Sequence, residues 1–66
     1  MVDFGAKLKQ LRRDKKLSQL RLAKVLFVSE STIGMYETNR IRPSHEILLA
    51  IAEYFDVSLD ELYGRY

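Results

Sequence analysis

Sixty-six residues without a cysteine make one domain at most, with neither disulfides nor thiolate metal sites to support it. Hydrophobic residues form 47% of the chain, enough for one helical core, but no apolar run approaches the ~20 residues that cross a bilayer. Net charge is only +2, yet ten lysines or arginines against four acids in residues 1–42, and one against five in residues 43–66, give a front of +6 and a back of −4.

The first helix is expected from about Phe4 to Lys15. Phe4, Leu8 and Leu11 fall at i, i+4 and i+7 and so share one stripe. Lys7, Lys9, Arg12, Arg13, Lys15 and Lys16 take the other faces or the C-terminal end. Cations there favour the helix dipole, which explains part of the basic run without a polyanion. Ser18 is a good N-cap for a second helix, because its hydroxyl can accept from a free backbone N–H. Leu17 before the cap and Leu22 beyond it form a hydrophobic staple. Leu22, Ala23 and Leu26 point inward, and the helix ends near Leu26. The same grammar repeats at Ser29, with Val28 stapled to Ile33, opening a third helix to about Glu37. Ser44 after Pro43 caps a fourth, which lays Ile47, Leu48, Ile51, Ala52 and Phe55 on one wide stripe. Ser58 and Glu61 predict a capping box for a fifth, with Val57 stapled to Leu62. No alternating strand pattern occurs, so the reading is all-α, in a single domain over residues 1–66.

Only Phe27 and Val28 separate the second and third helices. So short a connection forces a steep crossing. Close packing at the crossing needs a small residue, which Ala23 supplies, while Ile33 and Tyr36 wedge the third helix against the core.

Taken together, Leu17-Ser18-Gln19, Leu22-Ala23, Leu26, Val28-Ser29, Ser31-Thr32-Ile33, Tyr36-Glu37, Arg42-Pro43-Ser44, Leu48, Ile51-Ala52 and Val57 to Leu62 resemble the Cro and C1 repressors, the XRE family of helix-turn-helix proteins. The resemblance runs from about Phe4 to Tyr63. It implies a compact five-helix bundle of the lambda-repressor-like type, with the helix-turn-helix at about residues 18–37. It also implies a sequence-specific regulator of transcription, expected to be a repressor, that places the helix Ser29–Glu37 in the major groove of double-stranded DNA. By position, Glu30, Ser31, Thr32 and Met35 would read bases. Gln19, Asn39, Arg40 and Arg42 would touch phosphates, and Arg12 with Glu37 would form a structural salt bridge.

The chemistry agrees at most of these places. Helix N-termini favour negative charge through free N–H groups and the dipole. Glu30 is the exception: a carboxylate is repelled by phosphates, but it can accept from cytosine N4. The competing reading is that Glu30 only complements the helix dipole. The basic front matches a polyanion, although an unevenly charged solvated surface explains it too.

Three departures from the family pattern stand out. Phe27 occupies a corner where the family usually has glycine. A non-glycine residue held left-handed there costs about 1–2 kcal/mol, so either the turn differs or the ring is used. Gly34 lies inside the third helix at a cost of roughly 1 kcal/mol relative to alanine, either as drift or to admit a phosphate or a neighbouring chain. Leu20 and Val25, with Phe27, are apolar where the family is polar and could seed a partner surface.

An enzyme is not expected. The single histidine, His45, sits at a surface-type position in the first turn of the fourth helix, and no catalytic or phosphate-loop motif occurs. Asp56, Asp60 and Glu61 do not have the spacing of a calcium loop. Neither a metal, a cofactor nor a small-molecule ligand is called for. The rival reading is a protein-interaction or antitoxin-like module on the same fold; Gln19, Arg40, Arg42 and the polar Glu30-Ser31-Thr32 turn weigh against it. A homodimer on a palindromic operator is expected, with Leu59, Tyr63, Tyr66 and Tyr54 as candidates for the seam. The N-terminus lacks the build of a signal peptide, and a cytoplasmic location is expected. The ends suit either a minimal regulator or an N-terminal domain.

Overall fold

A computed structural model describes residues 3–63. Five helices follow one another: α1 (Phe4–Asp14), α2 (Gln19–Leu26), α3 (Glu30–Glu37), α4 (His45–Phe55) and α5 (Leu59–Leu62). No strand occurs among the described residues. Tyr66, one candidate for a dimer seam, lies outside them.

Each helix begins the same way. Ser18, Ser29, Ser44 and Ser58 hold extended backbone and accept from the N–H three residues on, at Arg21, Thr32, Ile47 and Glu61. Asp3 does the same for α1, accepting from Ala6. Each such cap is typically worth about 1 kcal/mol. In the fifth, the Glu61 carboxylate lies 3.2 Å from Lys7 Nζ, so it ties α5 to α1.

The first four helices also end alike, and none ends on glycine. Lys16, Phe27, Asn39 and Asp56 take left-handed backbone, with φ between 55° and 61°. The N–H of the next residue reaches back to a carbonyl five positions earlier: Leu17 to Arg12, Val28 to Ala23, Arg40 to Met35 and Val57 to Ala52. This Schellman closure satisfies carbonyls that would otherwise be orphaned. It also turns Leu17, Val28 and Val57 inward, where they pack on the core and lead into the next cap.

The core gathers Leu8 from α1, Leu22, Ala23 and Leu26 from α2, Ile33 and Tyr36 from α3, Ile51 and Phe55 from α4, and Leu62 from α5. Phe4, Leu11, Ile47 and Ala52 pack around it, half-buried. α3 rests on both α1 and α2, while α4 and α5 close the other side. The sequence stripes therefore point where their spacing places them.

Candidate nucleic-acid interface

The corner between α2 and α3 is built on strain. Phe27 has φ 59° and ψ 41°, and its ring is 95% exposed. The turn keeps the left-handed geometry for which glycine is suited, and phenylalanine adopts it without burying its side chain.

The first turn of α3 is left uncovered. Glu30 and Ser31 are exposed, and Thr32 and Met35 are half-buried. Ser29 Oγ lies 2.7 Å from Thr32 Oγ1 and 3.1 Å from Ser31 Oγ, so three hydroxyls form one cluster at the helix start. The Glu30 carboxylate makes no hydrogen bond or ion pair among the described residues. This turn offers hydroxyls that can donate or accept a hydrogen bond, a free acceptor, and the positive end of a helix.

The far end of α3 is locked. Arg12 Nε donates to Glu37 Oε2 at 2.6 Å and Nη2 donates to Oε1 at 3.2 Å, while Nη1 reaches the Leu17 carbonyl at 2.8 Å. Glu37 is 8% exposed and Arg12 is 9% exposed. A buried pair is tolerable when none of its buried nitrogens and oxygens lacks a partner, as is the case here. Gln19 Nε2 adds a third bond to Glu37 Oε1 at 3.0 Å. An amide nitrogen carries two N–H groups, so Gln19 is held by one and can offer the other outward.

Asn39 is arranged similarly. Its Oδ1 accepts from the Gly5 N–H and its Nδ2 donates to Asp3 Oδ1, both at 3.0 Å. Its second N–H remains for another partner. Asp3 is held below its ordinary carboxylate range, first by the Ala6 N–H and then by Asn39. Burial pushes the Tyr36 hydroxyl upward. Arg40 and Arg42 are exposed, with no ion pair among the described residues. Around the exposed tip of α3 the structure thus brings Glu30, Ser31, Thr32 and Met35 together. Gln19 lies beside α3, within 3.9 Å of a Cβ built at Gly34.

Sequence reasoning missed Asp3 and Gly5. An aspartate just before the first apolar stripe is a local capping signal that was there to be read. Gly5 gave no such signal, because its role depends on a distant part of the chain. A Cβ built on Gly5 would stand 2.4 Å from the Glu37 carbonyl oxygen. His45 is exposed, no group of metal-ligating side chains forms among the described residues, and none of the helices is long and apolar enough to cross a membrane.

The profile of the helix-turn-helix family matches residues 8–62. The chain is 41% identical over 61 residues to the HTH-type transcriptional activator BcrR of Enterococcus faecalis, covering 92% of this chain and 30% of that protein. It is also 41% identical over 59 residues to the HTH-type transcriptional regulator AnsR of Bacillus subtilis (strain 168), covering 89% of this chain and 51% of that one. It therefore spans between about a third and a half of the length of these curated relatives. The fold superposes on the P22 c2 repressor, solved in complex with a synthetic operator, with a TM-score of 0.89 and 28% identity over 96% of both chains. With that family's profile matching most of its length, over capped helices, a three-residue corner and an uncovered start to α3, the chain belongs to the helix-turn-helix family of the Cro/C1 type.

Proposed function

We propose that the chain is a sequence-specific double-stranded DNA-binding domain of a transcriptional regulator, one folded unit over residues 1–66, with α3 in the major groove. One observation carries this reading: α3 is clamped at Glu37 and bare at Glu30 and Ser31, so it presents a fixed polar tip. Glu30, Ser31, Thr32 and Met35 face base edges. Met35 packs on a thymine methyl, and Glu30 accepts from a cytosine N4. Gln19 and Asn39, each with a spare N–H, bind phosphate oxygens together with Arg40 and Arg42. A bacterial or phage-type regulator of this kind works at DNA in the cytoplasm, and the resemblance to bacterial regulators supports that location. Repression by occupying that site needs no contact beyond these. Two copies pair across a palindrome through α5, where Leu59 and Tyr63 are half-buried.

Selection of bound duplexes from a random pool, followed by gel shifts at two salt concentrations, tests this reading. Binding should fall steeply as salt rises, because each neutralised phosphate releases counterion. Glu30→Ala should relax preference at a single base pair. A protein that retards no duplex even at low salt would instead fit a protein-interaction module.

A further inference from the structure

Phe27 combines two unfavourable features, a left-handed backbone and a ring that is 95% exposed. Glycine would remove the first and any polar residue the second. No ring contact or cation–π contact among the described residues involves Phe27. Phe27 directly follows α2, whose outer side carries Leu20, 46% exposed, and Lys24 at i and i+4, with Arg21 beside them. Neither cation has an ion pair among the described residues.

The outer side of α4 is the complement. Glu46, Leu49, Ala50 and Glu53 share one face, with Leu49 46% exposed and neither acid paired among the described residues. Beside it, Ala50, Glu53 and Tyr54 line a shallow, open groove of about 260 Å³. The Tyr54 ring is steadied edge-on against Phe55, at 5.0 Å between centroids, and Lys15 Nζ lies 5.1 Å from its centre. The two faces run for similar lengths, about 9 Å over residues 20–26 of α2 and about 10 Å over residues 46–53 of α4, at ~1.5 Å per residue. Their charges are opposite.

We propose that Phe27 of one copy seats in the Ala50–Glu53–Tyr54 groove of a second copy, with Arg21 and Lys24 set against Glu46 and Glu53. Two different patches of the same chain meet, so the contact is heterologous and repeats head to tail. It is distinct from pairing through α5 and does not depend on DNA binding.

Amide chemical shifts followed from about 0.05 to about 1 mM protein at low salt test the contact without DNA. Shifts should move with concentration within residues 20–27 and 46–54, and salt should suppress the movement by screening. Phe27→Gly should weaken association about tenfold or more while thermal stability holds or rises, because glycine takes the left-handed corner freely. Loss of association then cannot be loss of fold. Glu53→Lys should also abolish the movement, and combining it with Lys24→Glu should restore it. Shifts that are absent over this range, confined to α5, or unchanged in Phe27→Gly would overturn the proposal.

Discussion

Gly5 and Glu37 meet so closely that only hydrogen fits between them. A Cβ at residue 5 would lie 2.4 Å from the Glu37 carbonyl oxygen and 2.8 Å from that of Tyr36. Both obstacles are backbone, which cannot rotate away. Gly5→Ala should therefore push α1 off the end of α3 and destabilise the fold by about 1–3 kcal/mol, as overpacked interiors do. Urea unfolding followed by circular dichroism measures this, and an unchanged midpoint would contradict it.

Arg12 and Glu37 should behave as a unit. Removing one leaves the other buried without its partner, a loss of about 3–5 kcal/mol, which is severe for so small a domain. Glu37→Ala should thus be largely unfolded at room temperature. Arg12→Met with Glu37→Met should recover much of the loss, because no charge is then stranded. Comparing the melts of the single and double variants measures the coupling, and simple additivity would deny it.

The Asp3 lock should show in the pH dependence. Asp3 sits below its ordinary value of 3.8 because the Ala6 N–H and the Asn39 amide both donate to it. A group with a lower pKa folded than unfolded stabilises the fold while ionised. Its contribution is present above the unfolded pKa and is lost as pH falls through the folded one. The stability gap between the native chain and Asp3→Ala should hold from neutral pH to about pH 5 and then narrow on acidification below about pH 4. Denaturant midpoints across that range would show it; a gap independent of pH would not fit.

Gly34 should be improvable. A Cβ there meets only Gln19 Nε2, at 3.9 Å, and the glycine φ is not left-handed. Gly34→Ala should raise stability by up to about 1 kcal/mol, the difference between the two residues in a helix interior. Calorimetry gives the shift in melting temperature. A fall in DNA affinity in the same variant would locate a duplex contact at the bare backbone of α3.

Much of this could be read from the chain because it is local chemistry. A serine hydroxyl capping its own third neighbour involves residues adjacent in sequence, so Ser18, Ser29, Ser44 and Ser58 announce helices wherever they fold. The stripes through Leu8, Leu22 and Ile51 are local in the same sense. The helix ends were harder to read. Left-handed closure is usually signalled by glycine, and here Lys16, Phe27, Asn39 and Asp56 perform it. Asparagine and aspartate hint at such a turn, but lysine and phenylalanine do not. In the candidate interface, the exposure of Glu30 and Ser31 follows from the register of α3. The inward bonds of Gln19 and Asn39 do not, since they join residues 18 and up to 36 positions apart.

Glu37 receives α1 through Arg12 and α2 through Gln19, and its carbonyl backs onto Gly5, all at the trailing end of α3. The rod is therefore pinned at its trailing end and seated along its inner side by Ile33, with only the outer side of its leading turn left free. Substitutions at positions 30 and 31 leave every one of those anchors in place. The vocabulary at the tip can be rewritten again and again while the mounting stays as it is.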